Sequence, residues 1–355
     1  YDRFGGRIMI AGASLALGIM VFFISVTDLI AAFFGGGLVL TFVLIMTGYF
    51  GVRFFGQGVL TSCSRNVLLR WFVKRRGLVS GIRGVFVSFG FSVAPLFLAG
   101  IIVFFEWRGA LWLLAILVGV VFAILALIFV RDDPASCGLL PDGAKPEDNS
   151  EASLMEVESK TLADARRSPA FWLYSMSLGM YAMFGTALTF HVVSIFEEAG
   201  RGRVEAFGYF IPSAIFSTVT NLLASSFVDK HRLKPFLVAM LACFVIGAFG
   251  LLNLSEAWGY WLLAFGFGAG GGLWGVNSNL AYIRFFGPLH LGEISGLSTS
   301  LTVFASAVGP AAFSLGLDYF GSYDAAVKIC LVLLSALLCA ATLLKQEELP
   351  FLPSA

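Results

Sequence analysis

Arg53 is the first residue of this sequence that combines ionisable chemistry with an apolar setting. It lies inside a long apolar stretch at about 38–62. A charged side chain at the centre of a bilayer costs roughly 2.5–3.5 kcal/mol on insertion scales, so it needs a compensating role. Two roles stay open for Arg53: binding of a substrate anion or coupling, and a structural bond to carbonyls at a helix end. Arg83 lies closer to its helix end, where we expect its long side chain to reach the membrane surface.

Five other polar side chains of the apolar stretches are candidates for substrate or coupling chemistry. His191 is of a residue type that suits a proton relay, but its place near the outer end of its span favours a hydrogen-bonded histidine at the membrane surface. The remaining candidates for substrate ligands are Asn221, Asn277, Asn279 and Tyr282. No Asp or Glu lies in the middle of an apolar stretch, and the sequence contains no metal-ligand cluster, nucleotide-binding loop or nucleophile–base set. We therefore expect no enzyme activity, no metal and no cofactor.

Transmembrane helices are the elements that must position these residues. Of the 355 residues, 58% are hydrophobic and only 13% are charged, with a mean hydropathy of +0.89, whereas an average soluble domain carries about 25% charged residues. Stretches of roughly 20 apolar residues can cross the hydrocarbon core of a bilayer. A net charge of +1 gives no indication of nucleic-acid binding. We predict about ten spans, at 8–27, 38–62, 79–104, 109–130, 170–196, 205–228, 235–255, 258–283, 294–317 and 325–344.

The orientation follows from lysine and arginine. An even number of spans puts both chain ends on one side, which we name side A, and the opposite side is side B. Side A carries seventeen of the 23 Lys and Arg residues and side B carries four. Because cytoplasmic loops are enriched in these residues, we predict that side A, with both ends, is cytoplasmic in a plasma (inner) membrane.

The chain divides into two related halves. A polar, proline-containing stretch predicts a cytoplasmic linker at 131–168 between an N-terminal bundle at 1–130 and a C-terminal bundle at 169–355. Ser168-Pro169 predicts the start of a helix. Packing residues recur at one common offset on side A, where Gly77, Gly81 and Pro95 match Gly292, Gly296 and Pro310. Such parallel repeats predict a twelve-helix parent whose first two helices are missing here.

Three motifs resemble those of the major facilitator superfamily. Asp2-Arg3-Phe4-Gly5-Gly6-Arg7 resembles the signature loop after its second helix, and Asp229-Lys230-His231-Arg232 resembles the copy of that loop in the second half. The third motif, resembling the arginine–glycine motif of the fourth helix, is Arg53-Phe54-Phe55-Gly56-Gln57-Gly58. Three stretches resemble the monocarboxylate and oxalate/formate branch of this superfamily. They are residues 71–78, residues 131–134 with 138–143, and residues 290–296.

This resemblance implies an all-α membrane protein with a two-bundle fold. The implied function is secondary active transport of a small organic solute, such as a monocarboxylate or other organic anion, by alternating access, with a proton or counter-anion as co-transported partner. The alternative is a transporter-like nutrient sensor that signals through a partner; in either case we expect a monomer in the lipid bilayer. In the signature loops we expect gating roles for Asp2, Arg3, Gly6, Arg7, Asp229, Lys230 and Arg232. Asp2 and Asp229 should each lie near a helix end on side A.

Overall fold

The computed structural model describes residues 4–143, 159–345 and 349, and all regular elements within them are helices. The chain forms two compact units. The first consists of Tyr1–Val73 and Phe89–Met155, and the second of Lys74–Ser88 and Glu156–Ala355. Three predicted functional features lie outside the described residues: Asp2, Arg3 and the central part of the linker, 144–158. The side chain of Pro95 is not described either.

The first unit is built from two long helical rods and the part of a third rod that follows Ser88. The first rod is α1, Gly5–Phe33; the second runs through α2, Leu38–Val52, the π-helical segment Arg53–Leu60 and α3, Thr61–Trp71; and the third runs through α4, Arg76–Leu114, the π-helical segment Ala115–Val121 and α5, Phe122–Phe129. Glu106 interrupts α4 with a non-helical backbone (φ 57°, ψ 175°). This break falls where the sequence predicts a connection between two spans.

The second unit contains the N-terminal part of α4 and eight further helices. They are α6, Leu162–Arg167; α7, Pro169–Glu198; α8, Arg203–Gly208; α9, Phe210–Val228; α10, Lys234–Leu252; α11, Ala257–Phe286; α12, Leu291–Phe320; and α13, Asp324–Leu343. Ser168 caps α7 as predicted, because its Oγ accepts a hydrogen bond from the N–H of Phe171 at 3.4 Å, and Pro169 occupies the first helical position.

The lengths and apolarity of the helices confirm an all-helical membrane protein. Among the described residues, eight helical stretches are long and apolar enough to cross a bilayer. They cover eight of the ten predicted spans, and the other two, at 79–104 and 258–283, are helical as parts of α4 and α11. Large apolar side chains stay exposed on these helices, for example Phe104 and Phe33 at 83% and 84%. A bilayer accommodates such surfaces, and helices satisfy their own backbone polar groups there.

Helix α11 forms the centre of the second unit, packed between α9 and α10. It approaches α10 backbone to backbone, since a Cβ on Gly266 would lie only 2.3 Å from the Gly247 nitrogen. Only glycine permits this distance, as is common where membrane helices pack through small residues. The close packing fixes α11, which carries Asn277, Asn279 and Tyr282.

Candidate functional site

Arg53 begins the π-helical segment of the second rod. The predicted span ends at residue 62, but this end is wrong for the helix, because α3 continues to Trp71. The polar residues after 62 end the apolar pattern without ending the helix, so Arg53 lies near the middle of the rod. Its side chain is exposed, and Nη1 donates to Gln57 Oε1 at 3.0 Å. A π-helical turn is wider than an α-helical one and is frequent at functional sites.

Arg83 is the second arginine inside a predicted span. It lies seven residues after the start of α4, roughly 10 Å along the helix axis at 1.5 Å per residue. Its side chain is half-buried. Among the described residues, no hydrogen bond or ion pair reaches its guanidinium group.

The polar residues of α11 lie in the core of the second unit. Asn277 is fully buried; its Nδ2 donates to the Leu273 carbonyl at 2.9 Å, and its Oδ1 has no hydrogen-bond partner among the described groups. Asn279 is 8% exposed. The Tyr282 hydroxyl bonds to Ser175 Oγ at 3.0 Å and also to Ser298 Oγ, which ties α11 to α7 and α12. In this structure these side chains stabilise the unit, and their role as substrate ligands stays a prediction.

Asn221 bridges α9 to α11. It is 9% exposed, and its Nδ2 donates to the Gly272 carbonyl at 3.0 Å. Its Oδ1 has no hydrogen-bond partner among the described residues. That oxygen would lie 2.7 Å from a Cβ on Gly84 of α4. Asn221 therefore occupies the point where three helices meet.

The contact between α4 and α9 continues from Gly84 towards side A, and we name it the α4–α9 seam. It consists of Gly77, Gly81 and Gly84 of α4 against Asn221, Ser225 and Val228 of α9. A Cβ on Gly77 would lie 2.4 Å from Val228 Cγ1, and one on Gly81 would lie 2.5 Å from Ser225 Cβ. The predicted packing glycines thus place α4 directly against α9.

Asp229 closes the side-A end of this seam. One carboxylate oxygen accepts from the N–H of Gly77 at 2.8 Å, and the other accepts from Gly77 at 3.1 Å and from Leu78 at 3.2 Å. The carboxylate therefore lies at the N-terminus of α4, where free N–H groups and the helix dipole favour an anion. Burial raises the pKa of the Asp229 carboxyl, against the opposite effect of these two N–H groups and of Arg284 and Arg76.

Arg284 fixes the loop that carries Asp229. Its Nη2 donates to the Val228 carbonyl at 2.7 Å and its Nη1 to the His231 carbonyl at 2.8 Å, so it caps the C-terminus of α9. The same Nη2 lies 3.8 Å from Asp229 Oδ1. Arg284 is 8% exposed, and its position holds the carboxylate against α4. Lys230 and Arg232 of the same loop are exposed.

A basic residue at or just after the end of each signature-like loop makes the same kind of hydrogen bond in both halves of the chain. Arg7, at the start of α1, donates through Nε to the Leu127 carbonyl near the end of α5 at 2.7 Å. Lys234, at the start of α10, donates to the Thr342 and Leu344 carbonyls at the end of α13 at 2.8 Å and 2.7 Å. The predicted internal repeat therefore extends to hydrogen bonds. In each half, a basic residue at the start of one helix donates to carbonyls at the C-terminal end of another helix. The N–H of Arg7 also donates to Asp132 Oδ1 at 2.6 Å.

His191 joins three helices near side B. Its Nε2 lies 3.1 Å from the Pro310 carbonyl of α12, and its Nδ1 lies 3.2 Å from the Tyr323 hydroxyl at the start of α13. The neutral ring with its proton on Nε2 satisfies both, since it donates to Pro310 and accepts from Tyr323. This arrangement suits a structural histidine, and a proton-relay role stays a prediction.

The remaining predicted residues of the signature loop and of helix packing lie at the start of α1 or in α12. Gly6 is buried at the start of α1, Gly292 lies in the first turn of α12, and Pro310 lies inside α12. A Cβ on Gly296, the repeat equivalent of Gly81, would meet nothing within 4 Å.

Two parts of the side-A arrangement escaped the sequence analysis. Gly84 extends the Gly77/Gly81 spacing by one further turn, a signal that was present but not used. Arg284 precedes two aromatic residues, Phe285 and Phe286, as Arg70 precedes Trp71 and Phe72 in the first half, and this likeness is a second signal in the sequence. Neither motif reveals its partner, because Asn221, Ser225 and Val228 of α9 form no recognisable sequence pattern of their own.

The family model described as Major Facilitator Superfamily matches residues 1–310. No curated protein sequence matches the chain. Among solved structures, the proton:xylose symporter XylE bound to 6-bromo-6-deoxy-D-glucose is similar with a TM-score of 0.69 at 14% identity, covering 98% of this chain and 81% of XylE.

Two further solved structures share the fold. The E. coli fucose:proton symporter FucP has a TM-score of 0.59 at 12% identity, covering 95% of this chain and 86% of FucP. The human organic anion transporter MFSD10 has a TM-score of 0.59 at 14% identity, covering 96% of this chain and 77% of MFSD10. The family match, the apolar helices and the repeated side-A loops agree: the chain belongs to the Major Facilitator Superfamily and is a secondary transporter rather than an enzyme.

Proposed function

We propose that this transporter carries a small organic anion of monocarboxylate size across the plasma membrane by alternating access. The proposal is based on the sign of the charged side chains in the interior of the predicted spans, which is positive. Arg53 is the formally charged residue deep in a predicted span, Arg83 lies nearer the end of its span, and no Asp or Glu lies in the middle of a predicted span. A positive charge at the depth of the bilayer centre is costly unless an anion neutralises it, so an anionic substrate gains affinity from the same interaction that offsets this cost.

Arg53 is the residue that we expect to bind the anion. Its position near the middle of the rod keeps it from the membrane surfaces, and the π-helical turn re-aims the side chains that follow it. A guanidinium group binds a carboxylate through two parallel hydrogen bonds, which a lysine cannot reproduce. Of the similar structures, MFSD10 is named an organic anion transporter, whereas FucP and XylE are named proton symporters for sugars. Both an organic anion and a sugar should therefore be tested as substrates of this protein.

Alternating access requires a contact that opens and closes at one end of the helices. We propose the α4–α9 seam for this role, with side A facing the cytoplasm and Asp229 as its latch. The bonds from Gly77 and Leu78 to the carboxylate form only when α4 lies against the loop after α9. An exposed ion pair contributes only ~0–1 kcal/mol, but this carboxylate is largely buried at a helix N-terminus, where a charge is worth more.

Uptake into proteoliposomes tests the substrate class. We expect uptake of labelled acetate, pyruvate or oxalate and none of xylose. Arg53→Lys should keep the charge and weaken uptake clearly, and Arg53→Ala should abolish it. Arg203→Ala is the matched control, because the Arg203 side chain is 74% exposed and pairs only with the exposed Glu197 among the described residues.

Uptake is measured per folded molecule, so that a purely structural arginine is recognised by a parallel loss of folded protein. Wild-type uptake per folded Arg53→Ala molecule would end the assignment of Arg53. Uptake of xylose with no uptake of any carboxylate would refute the organic-anion class.

A further inference from the structure

We propose that the first unit binds one anionic phospholipid at its side-A end, with an acyl chain in a cavity between α1, α3 and α5 and the phosphate group at Arg7 and Arg131. The cavity has a volume of about 380 Å³. We name it the acyl slot. The apolar residues that line it are Ile10, Leu60, Val67, Phe122 and Val130.

The acyl slot is elongated along the helices. Its lining extends from Phe122 to Val130 of α5, which is eight residues or roughly 12 Å at 1.5 Å per residue. Val130 is the C-cap of α5, so the slot starts at the side-A end of the unit and reaches into its apolar part, as an acyl chain does in a bilayer. Small residues leave this space, because Ala123 and Ala126 pack with Ile10 in the adjoining core cluster.

The wall of the slot offers no hydrogen bonds to a polar ligand. Its two hydroxyl groups are satisfied by their own helix, since Thr61 Oγ1 donates to the Gly56 carbonyl at 3.1 Å and Ser64 Oγ donates to the Thr61 carbonyl at 3.0 Å. Among the described residues, no charged side chain lines the slot. A polar solute would lose its hydrogen bonds to water there, whereas a hydrocarbon chain loses none.

Two arginines lie at the side-A end of α5, beside the mouth of the slot. Arg131 follows Val130 directly, and its Nη1 donates to the Val130 carbonyl at 3.0 Å. Arg7 lies one turn before Ile10, and its Nε donates to the Leu127 carbonyl at 2.7 Å. Both guanidinium groups are therefore held at one helix end.

These arginines keep hydrogen-bond donors that a phosphate group can use. The Nε and Nη2 of Arg131 and the Nη1 of Arg7 have no partner within the described part of the chain. The carboxylate of Asp132 accepts the backbone N–H of Arg7 at 2.6 Å and forms no ion pair with either guanidinium group. Arginine binds phosphate through parallel N–H bonds, and basic pockets between membrane helices on the cytoplasmic side bind anionic headgroups.

Trp71 borders the mouth of the slot on the α3 side. It lies one turn after Val67, and its Nε1 donates to the Arg131 carbonyl at 3.0 Å. Tryptophan is enriched at the level of the lipid headgroups, so this bond sets Arg131 at that level. A hydrocarbon slot with cations at its mouth matches an amphiphile with a negative headgroup. An apolar protein segment would fill the slot and leave the cations without a counter-charge.

The test measures lipid binding to the purified protein by native mass spectrometry in a mild detergent. Dioleoylphosphatidylglycerol and dioleoylphosphatidylcholine have the same acyl chains and differ in net charge. We expect the wild type to bind phosphatidylglycerol about fivefold more tightly or better, the factor for one basic residue at an anionic headgroup. Arg131→Gln should remove this preference, and Arg131→Lys, which keeps the charge, should retain most of it.

A second variant tests the slot itself. Ser64→Leu places a larger side chain in the slot and should weaken binding of both lipids, about fourfold for each methylene group that it displaces. Its control is Ser226→Leu, because Ser226 is exposed on α9 and likewise donates to its own helix, to the Leu222 carbonyl at 2.8 Å. The control for Arg131 is Arg203→Gln, at an arginine whose side chain is 74% exposed.

Three results would overturn the site. The first is equal affinity of the wild type for the two lipids, or unchanged phosphatidylglycerol binding in folded Arg131→Gln protein. The second is unchanged binding of both lipids in folded Ser64→Leu protein, which would leave only a surface charge. The third is displacement of phosphatidylglycerol by an equal concentration of sn-glycerol 3-phosphate, which has the phosphate and no chains, because the site would then take a free phosphate. None of these measurements depends on the transported substrate.

Discussion

Substitution of Gly81 by alanine tests whether the α4–α9 seam opens during transport. The added Cβ would lie 2.5 Å from Ser225 Cβ and 2.7 Å from Ser225 Oγ. Carbon atoms in contact prefer about 3.5–4.0 Å. The serine Cβ is attached directly to the backbone of α9 and cannot swing away, so the two helices must separate by roughly 1 Å.

The expected size of the effect follows from this overlap. Overpacking of a tight contact costs typically 1–3 kcal/mol, which shifts a two-state equilibrium about 5- to 150-fold. The cost applies only where the seam is closed, because the methyl group has room once α4 and α9 part. Alanine also favours a helix over glycine by about 1 kcal/mol, and this gain is the same in both states. We therefore expect a folded protein whose seam is open far more often.

Thiol labelling reports the opening. Ser80 is 3% exposed, so a cysteine at this position, in a chain without its five native cysteines, should react slowly with N-ethylmaleimide. Gly81→Ala should accelerate labelling by 5- to 150-fold, the factor expected from overpacking. The control is Gly90→Ala on the same helix, because a Cβ there would meet nothing within 4 Å. Equal labelling rates in folded Gly81→Ala and Gly90→Ala proteins would show that the seam does not open as we argue.

Three further predictions concern the orientation and Asp229. A cysteine at Ser150 should be labelled by an impermeant reagent only from the cytoplasm and one at Gly202 only from outside; the reverse pattern would overturn the orientation. Asp229→Asn leaves one oxygen for two N–H groups and should change the transport rate several-fold with little loss of folded protein, whereas unchanged kinetics would remove the latch. Because burial in the closed seam raises the pKa of Asp229, against the opposite effect of the Gly77 and Leu78 N–H groups, we expect the closed seam to bind a proton more tightly than an open seam in which this carboxyl is solvated. Acidification on side A should favour closure, this benefit should disappear as the pH rises through the raised pKa, and Asp229→Asn should abolish the dependence.

The sequence was most informative where one local pattern determines one local structure. Ser168-Pro169 predicted a helix start because a side-chain cap and a preset φ act within three residues. Gly77 and Gly81 predicted close packing because the absence of a side chain is itself the requirement. Both features are present in the structure. The partner of the glycines could not be predicted, since Asn221 and Ser225 become a complementary surface only after folding.

The candidate site was harder to predict for a physical reason. Polarity within a span indicates that a side chain avoids lipid, but it does not distinguish a substrate cavity from the core of a helix bundle. Asn277 and Tyr282 satisfy the pattern of cavity residues, yet they lie in the core. The difference depends on which faces of α11 are covered, and that is set by α7, α9 and α10 together.

The basic residues of side A have a second role besides topology. Helices α5, α9 and α13 all end there, and the C-terminus of a helix presents unpaired carbonyls and a partial negative charge. Arg7, Arg284 and Lys234 each donate to these carbonyls. The charge asymmetry that predicts a cytoplasmic side A is thus also the set of caps that holds the helix ends together. Asp229 has the complementary role. Its carboxylate lies at the start of α4 and accepts a hydrogen bond from the N–H of Gly77, whereas the basic residues donate to carbonyls at helix ends. A contact between a carboxylate and a helix N-terminus breaks as one unit when the helix moves, which makes this end of the seam suited to a two-state latch.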